Sequence, residues 1–185
     1  MKKRKWTTIL LPFLLFAHAS CYFYPTQNEN DNSFISGQVV KVHDGDTYDL
    51  LLEDNTTIRV RMDGIDAPEK GMPYYKKAKQ HLGNLCQGHT IKICTDNIDQ
   101  YGRTISFSYL EDERELSREM LKAGFAWHYK QYNSDLELAA LEDEARLNKR
   151  GLWKDKNPMP PWENRKLHRQ GISTKDKFKI DENNE

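Results

Sequence analysis

Between Ile58 and Met62 apolar residues alternate with arginines without a break: Ile58-Arg59-Val60-Arg61-Met62. A period of two belongs to a strand with one buried face, so Ile58, Val60 and Met62 are expected inside and Arg59 and Arg61 on the other face. The apolar run 48–52 precedes it, and polar Glu53-Asp54-Asn55 separates the two. Together, residues 48–52 and 56–62 predict an antiparallel hairpin. Ile35, Val39, Val40 and Val42 around Gly37 predict an earlier strand, with order beginning near Phe34.

Beyond the hairpin, Pro73 is suited to open a helix in which Tyr75, Ala78, Leu82 and Leu85 recur at helical spacing, with Gly88 at its end. A strand over 90–94, a loop over 95–102 and a strand over 104–110 follow, the last closed by a Glu111-Asp112-Glu113 turn. Leu116, Met120 and Leu121 make a brief helix before Gly124, and 125–129 is a final strand. Ser134-Asp135-Leu136-Glu137 has the form of a capping box, heading a helix with Leu138, Leu141 and Ala145 on one face. Pro158, Pro160 and Pro161 with Trp162 predict a rigid, non-helical strap, and the chain from His168 onward reads as a frayed polar tail. The order β-β-β-α-β-β-α-β-α, with five or six short strands, fits an α+β fold. It suits a small Greek-key barrel of the oligonucleotide-binding kind with helices packed on it.

The ends of the chain differ from this middle. Lys2-Lys3-Arg4-Lys5 followed by apolar residues 6–17 has the layout of an export signal, too short for a comfortable membrane span. Ala17-His18-Ala19 fits cleavage before Ser20, while Ala19-Ser20-Cys21 resembles the bacterial lipoprotein box, with Cys21 as the lipidated residue. The second reading is slightly preferred because a lone cysteine there otherwise has no purpose. Residues 1–20 are therefore read as a signal, 21–33 as a polar linker, 34–167 as the folded domain and 168–185 as the tail. The protein is expected to be exported, as a membrane-anchored lipoprotein or in secreted or periplasmic form, with monomer as the default state.

The 185 residues carry 28 basic and 28 acidic side chains. The first twenty hold four of the basic residues and no acid, so removing them leaves a net negative chain. Such a total argues mildly against a plain nucleic-acid binder, although a bound cation and local arginines can offset it. The three cysteines lack zinc-ligand spacing. Cys86 and Cys94 could pair in an oxidising compartment or serve as two small buried hydrophobes.

Chemistry concentrates at the two ends of the hairpin. Asp44-Gly45-Asp46-Thr47 precedes its first strand and Asp63-Gly64-Ile65-Asp66-Ala67-Pro68-Glu69 follows its second. Antiparallel pairing brings both acidic turns to one end, where Asp46, Asp66 and Glu69 can converge beside Arg61. Oxygen ligands on rigid turns suit a hard cation, and a neighbouring arginine suits phosphate.

These turns, with Arg61 and Asp99-Gln100-Tyr101-Gly102-Arg103, resemble the staphylococcal nuclease (thermonuclease) family over about residues 35–162. The resemblance implies a five-stranded barrel with about three helices and a Ca2+-dependent endonuclease acting on DNA and RNA, leaving 5′-hydroxyl and 3′-phosphate ends. By position it makes Asp46, Asp66 and the Ala67 carbonyl metal ligands, and Arg61, Glu69 and Arg103 catalytic residues. Ala67 stands where the best-known member has threonine, a change a main-chain ligand tolerates. Tyr101 and Tyr129 are candidate substrate contacts, Tyr129 through stacking on a base. The alternative is a non-catalytic barrel module at the cell surface that binds nucleic acid or protein.

Overall fold

A computed structural model describes residues 34–173. The expected export signal, the linker with Cys21 and the end of the polar tail lie outside the described residues. Five strands close into a barrel: β1 (Phe34–Val42), β2 (Thr47–Leu52), β3 (Thr57–Met62), β5 (Thr90–Ile98) and β6 (Thr104–Tyr109). They run in the order β1-β2-β3-β6-β5 and close on β1, with β3 and β6 parallel and the other pairs antiparallel. This is the expected α+β barrel of the oligonucleotide-binding type. Val39, Tyr48, Leu50, Val60, Met62, Ile91 and Ile93 fill it, the inward set of a period-two pattern. Tyr48 is fully buried and donates its hydroxyl to Ser108 Oγ at 2.8 Å, so its polar end is satisfied inside the core.

Four helices pack outside: α1 (Tyr75–Cys86), α2 (Leu116–Lys122), α3 (Leu136–Leu147) and α4 (Pro161–Arg169). Ala78, Leu82 and Cys86 of α1 and Leu116, Met120 and Leu121 of α2 join the barrel core. A second cluster of Trp127, Ala145, Leu152 and Trp153 packs with Tyr74 and Trp162.

Several local expectations need correcting. Pro161 starts a helix rather than prolonging a strap, because proline at the first helical position forfeits no needed donor. The helix then runs through His168 to Arg169 before Gly171 turns left-handed at φ 74°. Strand β5 continues to Ile98, past the expected end at Cys94, because a bulge between Cys94 and Asn97 breaks the alternation that would have revealed it. The final strand shrinks to β7 (Trp127–His128), which pairs with an unexpected two-residue β4 (Ile65–Asp66). Asp135, not Ser134, caps α3, accepting from the Glu137 and Leu138 amides. Cys86 and Cys94 are free thiols, and Cys86 is in the core with its thiol donating to the Leu82 carbonyl at 3.1 Å. Burial pushes that thiol up to about 12.

Candidate active site

The register of the hairpin sets the site. Thr47 lies opposite Arg61, so the turn that feeds β2 sits beside the end of β3. The Met62 amide donates to the Asp46 carbonyl at 2.8 Å, and the Ala67 amide donates to Asp46 Oδ2 at 2.6 Å, stitching the two acidic turns together. Gly45 makes this approach possible: a Cβ there would come within 2.7 Å of Ala67 Cβ and 2.9 Å of Ala78 Cβ. Pairing of Asp66 with Trp127 fixes the second turn as a strand rather than a loose loop.

Arg61 stands between the two acids. Its Nε is 3.3 Å from Asp46 Oδ1 and its Nη2 donates to Asp66 Oδ1 at 3.1 Å, while Nη1 donates to the Met62 carbonyl at 2.7 Å. Asp46 and Asp66 are 5% and 2% exposed, so both carboxylates are taken out of water and held by explicit partners. Burial raises the Asp66 carboxyl, and hydrogen bonds from Arg165 offset part of that rise. Asp44 is pushed up to about 7 by burial and by the Asp46 carboxylate beside it.

Arg103 enters from the loop between β5 and β6. Asp99 Oδ2 accepts from its Nε at 2.7 Å, and Asp99 Oδ1 accepts from the Tyr101 and Arg103 amides, each at 2.9 Å. Burial works upward on Asp99, but the Arg103 and Tyr101 donors outweigh it and hold the carboxyl below its usual value. Tyr101 projects into solvent at 74% exposure, with the Arg103 guanidinium 5.4 Å from its ring centre. Arg61, Asp46, Asp66, Ala67, Glu69, Arg103, Tyr101 and Tyr129 all line one open cleft of about 910 Å3. The sequence-derived candidates within the described residues are therefore brought together. Trp127 turns away instead, packing edge-on against Trp153 at 5.3 Å.

Sequence reading missed the contribution of α4. Arg165 donates to Asp66 Oδ2 at 2.8 Å and to Glu69 Oε1 at 2.7 Å, and Asn164 Nδ2 donates to Glu69 Oε2 at 3.0 Å. Burial opposes the charge on Arg165, but Asp66 and Glu69 hold its pKa above the ordinary arginine value. Trp162 stacks on Tyr129 with ring centres 5.6 Å apart and planes 3° from parallel. The one available signal was the Pro-Pro-Trp run read as a helix start, which would have put Arg165 on a helix four residues past Pro161.

A cation can be tested against these donors. Among the described residues no group of three or more His, Cys, Asp or Glu is arranged to hold a metal by itself. What the protein offers is two buried carboxylates, Asp46 and Asp66, with Ala67 lining the same cleft and Asp44 beside them pushed up to about 7 by burial and by the Asp46 carboxylate. An all-oxygen, partial set fits a hard ion whose coordination is completed by water or a phosphate. It does not fit zinc, which prefers nitrogen or sulfur ligands in a closed shell.

A barrel of this topology with arginines and carboxylates crowded at one end defines a nuclease-like class. Residues 59–155 match the model of the staphylococcal nuclease homologue family, and the chain belongs to that family. An "Uncharacterized endonuclease" of Escherichia coli O157:H7 is 41% identical over 128 residues, covering 69% of this chain and 83% of that protein. A "Micrococcal nuclease" of Shigella flexneri is 35% identical over 147 residues, covering 74% and 84%. An "Uncharacterized endonuclease" of Haemophilus influenzae is 37% identical over 124 residues, covering 67% and 69%.

Proposed function

We propose that the protein is a Ca2+-dependent endonuclease that hydrolyses DNA and RNA to 5′-hydroxyl and 3′-phosphate ends. The observation that supports this most is the placement of Arg61 between Asp46 and Asp66 while Glu69 and Arg103 line the same cleft. Family membership and the named nuclease relatives support nucleic-acid hydrolysis in general. An all-oxygen donor set of Asp46, Asp66 and the Ala67 carbonyl supports a hard cation such as Ca2+.

In this reading Glu69 takes a proton from water as that water attacks phosphorus. The bond to the 5′ oxygen breaks, and that oxygen leaves as a hydroxyl by taking a proton from solvent in the open cleft, while Glu69 returns its proton to solvent. Negative charge gathers on the phosphoryl oxygens, and Arg61 and Arg103 donate hydrogen bonds that strengthen as it does. Calcium, when bound by Asp46 and Asp66, supplies Lewis-acid polarisation of the phosphoryl group. Asp99 keeps Arg103 directed into the cleft. The exposed Tyr101 supplies an aromatic face for a base, while Tyr129 lines the cleft with Trp162 already stacked on its ring.

The N-terminal layout supports export, with lipidation at Cys21 or release after cleavage before Ser20, and a monomer is sufficient for the site as built. Digestion of plasmid DNA and of RNA by the purified protein, in calcium and in chelator, tests the central claim. Cleavage in calcium alone, with 3′-phosphate ends, is expected. A pure, folded protein that leaves both substrates intact in calcium would refute it.

A further inference from the structure

The last helix of the described chain reaches back across nearly a hundred residues to hold the side chain assigned as base. Both oxygens of Glu69 are taken by α4: Oε1 accepts from Arg165 Nη1 at 2.7 Å and Oε2 accepts from Asn164 Nδ2 at 3.0 Å. The same guanidinium contacts both oxygens of Asp66, at 2.8 Å through Nη2 and 3.3 Å through Nη1. Its Nη2 also lies 3.4 Å from the Tyr129 hydroxyl. One planar fork therefore fixes the distance between the Asp66 carboxylate and the Glu69 carboxylate.

We propose that Arg165 and Asn164 are positioning residues for phosphodiester hydrolysis, acting through Glu69. This rests on the reading of Glu69 as the base. A glutamate on a turn has three rotatable side-chain bonds, and only a few of its rotamers can meet an attacking water. Two donors from one rigid helix restrict that search while leaving each carboxylate oxygen a second lone pair for the proton. The helix itself is anchored at its N-terminal end, just before the contact. Pro161 is buried at its start and Trp162 stacks on Tyr129.

Burial also speaks for a dedicated contact. Asn164 is 1% exposed, and an amide at such a position costs stability unless it is hydrogen-bonded. An apolar residue would fill the space without that demand. Arg165 carries a fork that spans two carboxylates at once, which a lysine ammonium cannot do.

The test is a double-mutant cycle in the full-length protein with calcium, read by single-turnover cleavage of DNA. Arg165→Ala and Asn164→Ala are expected to lower the cleavage rate by about 10- to 100-fold, with substrate affinity changed by less than about threefold. In a Glu69→Gln background the same substitutions should cost almost nothing further. Calcium affinity, measured by calorimetry without substrate, should not weaken in Arg165→Ala. Arg165→Lys guards against a folding artefact, since it keeps the charge and the aliphatic stem yet loses the fork, and it should lose rate while melting within a few degrees of wild type.

Full additivity with Glu69→Gln, or calcium binding lost in parallel with rate, would overturn the inference, leaving α4 a merely structural strut. A wild-type protein inert in calcium would instead defeat the hydrolase reading and this inference with it. An active wild type with additive losses defeats this inference alone.

Discussion

At the scale of single residues the site separates into groups that hold and groups that react. Glu69 is the proposed base, and replacing its carboxylate by an amide keeps size and most packing but removes the proton acceptor. Glu69→Gln is expected to cut the cleavage rate by at least about 100-fold, the range general base catalysis commands, while the protein stays folded and melts slightly lower because the amide can accept only one of the two α4 hydrogen bonds. Arg103→Lys keeps the charge and loses the planar fork that Asp99 orients, so a loss of about tenfold or more is expected. Wild-type rates in either variant would show that the chemistry happens elsewhere. Asp99 also makes a prediction about pH. Its folded carboxyl is held below the ordinary aspartate value of 3.8, so its contribution is present above that value and is lost as pH falls through the lower folded pKa. Amide resonances of Tyr101 and Arg103 should therefore stay in place from about pH 8 to about pH 5 and move only below about pH 4. Displacement near neutrality would mean that the loop is held by some other group.

Between elements, the contacts that matter are those that let two turns meet. Gly45 has no side chain where Ala67 and Ala78 press closest, and a methyl group would lie 2.7 Å and 2.9 Å from their Cβ atoms. Gly45→Ala must therefore move the first acidic turn away from the second or from α1. A destabilisation of about 1–3 kcal/mol is expected from overpacking, along with weaker calcium binding because Asp46 and Asp66 separate. Denaturant melts and calorimetry measure the two effects, and an unchanged calcium affinity would argue that the turns meet without help from Gly45. This glycine, like the hairpin, the alternating arginines and the acidic turns, was visible in the chain because each is a local signal of period two or of a tight turn. What escaped notice was non-local. Strand β4 exists only because β7 lies beside it, and the bulge in β5 hides two residues of pairing, Asn97 and Ile98, behind broken alternation. The proline-rich run was misread because proline ends a helix from inside but begins one at its first position. With that helix unseen, Arg165 had no address, although its type is the one that carboxylates at a phosphate site attract.

For the molecule as a whole, the question is whether the ion proposed to activate the site would also hold the fold. Tyr48, Leu50, Val60, Met62, Ile91 and Ile93 inside the barrel, with Ala78, Leu82, Leu116, Met120 and Leu121 from the helices, form a continuous apolar core that needs no metal. The carboxylates of the acidic turns already have partners in Arg61, Arg165 and the Ala67 amide, so withdrawing a cation leaves them paired rather than stranded. The chain should therefore behave unlike a zinc finger, whose folding is its metal binding. Chelation is expected to abolish cleavage while leaving the far-ultraviolet circular dichroism and the near-ultraviolet signal of the buried Trp127 and Trp153 in place. As a ligand proposed to bind the folded form alone, calcium should still raise the melting temperature by mass action: at a hundredfold excess over its Kd that is about 2.7 kcal/mol. Collapse of the aromatic signal in chelator would contradict this division of labour, because it would make the ion part of the core and not a guest at one end of the barrel.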